Sequence, residues 1–299
     1  LFGNTTASNN TAVGSQALYA NTTGTQNVAV GAFALDANTT SGNLTAVGYN
    51  ALGGNTTGTE NTGIGRQALL TNSTGSYNVA LGVNALYQNT TANNNTACGN
   101  SSLAANTTGA NNVAVGAAAL DANTTGGNNV AVGYDALGST TTGDQNTAVG
   151  GYALDTNTTG EYNVAIGYAA MDANTTGGYN TGVGYHALKS NTTGTGLVAI
   201  GAYALDAITT SDNSVAIGYE ALTLHTAPQP SVAIGRGTLK SNVTGQYNVA
   251  VGDRALQDNT ANFNTGVGGF ALYKNTTATH NVAFGYAALE ENTTGNYNT

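Results

Sequence analysis

The sequence predicts an all-β fold, a parallel β-solenoid or β-roll of 17-residue rungs. Three observations predict it. First, a glycine behind an apolar triplet recurs at Gly14, Gly31, Gly48, Gly65, Gly82, Gly99, Gly116 and Gly133 and onward to Gly252, always 17 residues apart. Second, the unit N-T-T-G-x-x-N-[VT]-A-[VI]-G-x-x-A-L-x-x is too short for a pair of helices, so its copies must stack as single rungs. Third, its one β-branched run, N-V-A-V, lies between glycine-containing stretches, which is the pattern of a strand between turns. One residue is missing from "DNTANFNTG", so the frame resumes at Gly268 and Gly285. The array reads as one continuous repeat over 1–299, about 17.5 rungs. It begins and stops in mid-repeat without a capping unit, as a segment of a longer chain would.

Each column of the unit implies an environment. The residue before the glycine is almost always a large aliphatic (Val30, Val47, Ile64, Val115, Ile166) and is expected to face the interior. Two residues earlier, Val and Thr interchange, as a partly polar inward site would allow. Between them stands only Ala or Gly (Ala29, Gly63, Ala114, Ala131, Ala148). A strand alternates its faces, so this column is expected to pack closely against another surface, in a second chain or elsewhere in the same coil. Gly31 and Gly116 mark the bend that follows. The leucine column (Leu35, Leu52, Leu120 and their equivalents) is broken only by Met171 and predicts a continuous apolar spine. Polar residues two places after the glycine (Gln16, Asn50, Asp135, Arg254) do not fit a straight alternation with that leucine, so a bulge or bend is expected at G-x-x-A. Charges and most aromatics occupy the x-x pairs. Tyr77, Tyr162, Tyr179 and Tyr247 share one column, and Tyr49, Tyr134, Tyr168, Tyr185 and Tyr219 another, expected as solvent-facing stacks between rungs, with a ligand-binding aromatic stripe as the alternative. A five-rung pattern is superimposed: "GAFALDANTT" from Gly31 returns as "GAAALDANTT" from Gly116.

Composition excludes several functions. Charged residues make up 7% of the chain, against about a quarter in ordinary domains. The net charge of −9 forms no run, so neither nucleic acid nor an anionic membrane is an expected partner. No apolar stretch suits membrane insertion. Cys98 stands in a Val/Ile column as a small core hydrophobe. No cofactor, metal or catalytic group is expected. His186, His225 and His280 occupy different columns, no Ser-His-Asp set recurs, and the calcium-roll pattern G-G-x-G-x-D is absent.

"NSVAIG" at 213–218 and "PSVAIG" at 230–235 resemble the YadA-like head repeat of trimeric autotransporter adhesins and of related phage and virus fibre proteins. The resemblance implies a left-handed roll, three chains about a common axis, and an extracellular location on a cell or virion surface. The family rung is about 14 residues long, whereas this one has three more, all within A-L-x-x-N-T-T-G-x-x.

Asn-Thr-Thr-Gly admits two readings. It is a good turn. It is also an N-glycosylation acceptor at Asn4, Asn21, Asn38, Asn55, Asn72, Asn89, Asn106, Asn123, Asn157, Asn174, Asn191, Asn242, Asn275 and Asn292. Thr140 and Ile208 lack the Asn yet keep the following threonines, which favours a ladder of threonine hydroxyls bonding one another. Asn72-Ser-Thr and Asn242-Val-Thr keep the acceptor pattern. Either way the line of Asn is expected on the outside of the coil. The function expected is that of an extracellular fibre or adhesin, self-associating as a homotrimer or filament, with an unspecified surface receptor. A glycan-coated filament is the alternative, and an ice-binding solenoid a distant third.

Overall fold

The computed structural model describes residues 2–227 and 229–299, which form two compact units, Leu1–Asn146 and Thr147–Thr299. Each is a coil of short parallel strands, with no helix among the described residues. In the first, β1 (Thr11–Val13) to β8 (Val130–Val132) pair in chain order. In the second, β9 (Thr147–Val149) to β17 (Val282–Phe284) do the same. Like columns face like columns: Thr11 pairs with Val28 and Ala12 with Ala29. The missing residue is absorbed before Val249 pairs with Thr265, in a shortened turn at Asn259-Thr260-Ala261.

The leucine spine fills the interior. Leu35, Leu52 and Leu120 are completely buried, and Met171 takes the same place in its rung. Each buried leucine contributes about 1.5–3 kcal/mol. The column adopts left-handed backbone, φ 53° at Leu35 and 54° at Leu120. That conformation costs an L-residue about 1–2 kcal/mol, a cost the burial offsets. The bend expected at G-x-x-A is therefore real, and it turns the leucine inward although a polar residue stands two places before it.

The facing of the strand reverses the expectation. Its central alanine points inward: Ala29, Ala114, Ala131 and Ala148 are fully buried. The surface they meet is the leucine spine of their own coil. A Cβ placed on Gly63, which holds this column, would come within 3.2 Å of Leu52 Cγ, and one on Gly266 within 3.3 Å of Leu256 Cγ. The rung is so narrow that leucine reaches across it and leaves room for only a methyl group opposite. Val30 and Val115 thus face outward, not into the core; Val115 is 38% exposed. Thr45 and Val28 flank the same outer face. Cys98 shares it and is half-buried rather than part of the core.

Gly31 and Gly116 are obligatory on two counts. Their φ values are 140° and 137°. A Cβ on Gly31 would lie 2.3 Å from the carbonyl oxygen of Gly48 in the next rung, and one on Gly116 2.2 Å from that of Gly133.

Candidate functional site

The Asn-Thr-Thr segments overturn the expected outward line of asparagines. Asn21, Asn38, Asn55, Asn72, Asn89, Asn106, Asn123, Asn157, Asn174, Asn191, Asn242 and Asn275 are 0% exposed; Asn4 is exposed and Asn292 half-buried. The buried amides form a ladder. Asn38 Nδ2 donates to Asn21 Oδ1 at 2.9 Å, Asn72 to Asn55 at 2.8 Å and Asn89 to Asn72 at 2.8 Å. In the second unit Asn174 donates to Asn157 at 2.9 Å and Asn191 to Asn174 at 3.0 Å. The other Nδ2 hydrogen goes to the carbonyl three residues on, as from Asn72 to Gly75 at 2.9 Å.

A second asparagine column, at the N of N-V-A-V, completes the network. Asn61 Nδ2 donates to the same Gly75 carbonyl at 2.7 Å, and Asn61 Oδ1 accepts the backbone N–H of Asn78 at 2.9 Å. A turn buried in a narrow coil must satisfy its backbone groups internally, and the two asparagine columns do this. Both Nδ2 hydrogens of an interior ladder asparagine are thereby engaged, and a sugar on that nitrogen would displace one of them into a space that is already filled. The threonines do not bond hydroxyl to hydroxyl as expected. In rung after rung the first of the pair donates to the next rung's backbone, as Thr107 Oγ1 does to the Thr124 carbonyl at 2.9 Å.

Irregular rungs show what the column selects for. Asn259 is followed by Thr-Ala and is no glycosylation acceptor, yet it keeps its place: Asn275 Nδ2 donates to its Oδ1 at 2.7 Å. That was the signal in the sequence for a structural role, together with the N-V-A-V asparagine, which is never followed by x-Thr in the first unit's β2 rung, Asn27-Val-Ala. Where Ile208 replaces Asn, Asn191 Oδ1 turns back to accept Gly194 N–H at 3.0 Å. Before Thr140, Asn123 Oδ1 has no partner. His225 enters the column fully buried, and among the described residues neither ring nitrogen has a hydrogen bond of good geometry. Burial pushes its pKa down, and backbone groups of Gln229 and Asn242 partly offset that.

The variable positions gather on the outside in one kind of recess. The residue two places after the glycine and the residue after the leucine, separated by A-L in sequence, are brought together across adjacent rungs. In the first unit Gln67, Asn84 and Ser101 face Tyr87, Ala104 and Asp121 around about 270 Å³. In the second, Tyr152 and His186 face Asp155, Asp172 and Lys189 around about 290 Å³, and a further recess of about 320 Å³ runs from Tyr219 to Tyr273. Partial burial raises the carboxyl pKa of Asp36, Asp121, Asp172 and Asp206, with the Asp135 charge adding to it at Asp121. Burial lowers that of His186, helped by Lys189. Each half of these recesses is visible in the sequence as a variable pair, but their convergence depends on the left-handed leucine between them.

Aromatic rings stack along the column preceding the N-V-A-V asparagine. Tyr162 and Tyr179 lie 4.8 Å apart, and Tyr247, Phe263, His280 and Tyr297 form a run at 5.4, 5.0 and 5.0 Å. Among the described residues no three His, Cys, Asp or Glu side chains are grouped to hold a metal ion, and no helix is long and apolar enough to cross a membrane. No protein family model matches the chain, and no curated protein matches it.

Proposed function

We propose that the chain is a non-catalytic structural protein, a stretch of extracellular fibre or adhesin shaft on a cell or virion surface, which associates with copies of itself as a homotrimer. The observation that carries this reading is the outer strand face. In each unit it presents two columns made almost wholly of Val, Ile and Thr, with Leu81, Cys98 and Phe284 as the exceptions and no charged residue, and Val115, Val149, Ile166, Ile200 and Ile234 are each more than a third exposed. Repeated exposed apolar side chains of this kind mark an interaction surface. A second copy is the occupant that fits, because its rungs carry the same columns at the same spacing and meet this face rung for rung. The resemblance of "NSVAIG" at 213–218 to the YadA-like head repeat supports the same arrangement.

The experiment is light scattering during size-exclusion chromatography of the 299-residue chain, beside a variant with Val115, Val149, Ile166 and Ile200 all replaced by Lys. The parent is expected at three times the mass of one chain, and the variant at the mass of one chain with an unchanged far-ultraviolet spectrum. A parent that is monomeric at all concentrations, or a variant that keeps its association, refutes self-association through this face.

A further inference from the structure

The recess between Tyr219 and Tyr273 differs from the others in charge. The chain has six Lys and Arg against fifteen Asp and Glu. Three of the six, Arg236, Lys240 and Arg254, line this one recess. Arg236 is held by Asp253 in a two-pronged pair, Nε to Oδ1 at 2.8 Å and Nη2 to Oδ2 at 3.0 Å. Lys240 Nζ is held by Glu220 Oε2 at 2.6 Å. Arg254 has no ion pair among the described residues; its guanidinium lies over the Phe270 ring, 5.7 Å from the centroid. Three cations thus meet two carboxylates; Arg254 is felt by Asp253 through space without pairing to it and is steadied by an aromatic face, which leaves its fork of donors available.

Gly237 lines the recess beside Gln257 and Arg254. This column holds side chains in the adjoining rungs, Glu220 before it and Arg254 after it, all at left-handed φ. Packing does not demand a glycine here. A Cβ on Gly237 would have Gln257 Oε1 at 3.5 Å and Arg254 Cγ at 3.7 Å, ordinary contact distances, unlike Gly235, where a Cβ would clash with the next rung's carbonyl oxygen at 2.4 Å. What the missing side chain does is open the recess. At about 320 Å³ it lies at the small end of ligand sites, enough for one sugar ring.

We propose that this recess binds an acidic saccharide unit, a pyranose ring bearing a carboxylate. The carboxylate takes the Arg254 fork. The apolar face of the ring lies on Tyr219 or Tyr273, flat side chains with a polar tip that suit a ligand apolar on one side and hydroxylated on the other. The Gln257 amide and the Glu220 carboxylate receive the hydroxyls. The other recesses lack this combination: the one at Asp121 has no cation, and the one at Lys189 sets it beside Asp155 and Asp172. The residues come from different columns than the outer strand face, so this site stands independently of self-association.

The test is titration of the 299-residue chain with a galacturonate trisaccharide, followed by amide and Arg side-chain NMR shifts. The controls are the methyl-esterified trisaccharide and inorganic phosphate. The expected result is saturable binding of the acid that shifts Arg254, with the ester and phosphate each at least tenfold weaker. Arg254→Gln, which places in this column the residue that Gln67 already supplies, should weaken binding at least tenfold. Gly237→Asn, a residue carried in this column by Asn50 and Asn84, should do the same by placing a side chain against Gln257 and Arg254. Arg66→Gln, a cation outside the recess, should change nothing. Phosphate binding as tightly as the acid would show a bare anion site and overturn the saccharide assignment. Unchanged binding in both recess variants, or no binding by the parent, would overturn the site itself.

Discussion

Replacing Asn72 by Asp exchanges an NH2 for an oxygen and leaves the shape of the side chain intact, which makes it a direct measure of the ladder. Asn72 Nδ2 donates to Asn55 Oδ1 at 2.8 Å and to the Gly75 carbonyl at 2.9 Å, while its Oδ1 accepts from Asn89. In the variant an oxygen faces both acceptors. Gly75 keeps its bond from Asn61 at 2.7 Å, but Asn55 Oδ1 loses its short donor, at about 1–3 kcal/mol for a buried unsatisfied group. The carboxyl must also stay neutral or enter the coil charged. Holding it protonated three pKa units above its ordinary value costs about 4 kcal/mol at neutral pH. The sum is about 5–7 kcal/mol at pH 7. The sign in pH follows from linkage: a folded pKa above the unfolded one gives stability that is full below the unfolded value and lost as pH rises through the folded one. Below about pH 4 the protonated acid can again donate once, so the deficit should shrink to about 1–3 kcal/mol. Urea unfolding of parent and variant at pH 3.5 and pH 7, with the exposed Thr57→Ala as control, provides the comparison. A deficit under 1 kcal/mol at pH 7, or one that does not change with pH, would refute the account of the asparagines as a buried donor chain.

Other perturbations separate the remaining assignments. His225 is buried with a lowered pKa, so the stability it confers is full above its ordinary value of 6.5 and is lost as pH falls through the folded pKa; His186 is lowered in the same sense, so thermal melts between pH 7.5 and 5 should decline in the parent and decline less steeply in His225→Asn, whereas equal slopes would remove His225 as a cause. The carboxyls of Asp36, Asp121, Asp172 and Asp206, raised by partial burial, act in the opposite sense, and they are common to both proteins, so the difference between the two slopes belongs to His225. Ala131→Leu should cost about 1–3 kcal/mol or more by overpacking against the leucine spine, while Val113→Thr on the outer face should stay within about 0.5 kcal/mol; the reverse ranking in urea midpoints would mean that the strand faces the other way. Gly116→Ala should prevent formation of its rung, whereas Gly237→Ala should be tolerated, as read from amide hydrogen exchange. The intact mass of the folded chain should equal that of the bare polypeptide, and added glycan mass mapped by digestion to Asn72 or Asn106 would contradict a filled ladder.

Much of this architecture is legible in the spacing of the residues. The rung length, the strand, the leucine spine and the bend at G-x-x-A all follow from strict columns. Two facings were not legible. The alternation of Val28, Ala29 and Val30 is compatible with either face inward, and residue size favours the valines inside; only the width of the coil, set by leucine reaching across it, decides for the alanine. A one-residue flip of facing exchanges every side chain between core and surface. The asparagines misled for a related reason. Polar turn residues belong outside in most proteins, but here the turn is part of the interior and its carbonyls need donors. Asn259, which keeps the ladder without the acceptor pattern, carried that information. The acidic-ligand recess was not legible at all, because Gly237, Arg254 and Tyr273 belong to three different rungs.

The amide ladder also has a direction. Within each run every Asn side chain gives its hydrogen to the rung made before it and offers its oxygen to the rung made after it. A growing end therefore always presents an unfilled acceptor, and the next segment to emerge brings the matching donor. Chain synthesis proceeds in that same order, so each completed rung is the template on which its successor settles. Hydrogen-bonded amides in a row also polarise one another, so each addition strengthens the bonds already in place. Such a coil needs no distant contact to be found before folding can begin. Its contacts join residues one rung apart, so order can spread from any formed stretch to its neighbour, and Asn123, whose Oδ1 takes no donor, marks the end of one run of the ladder.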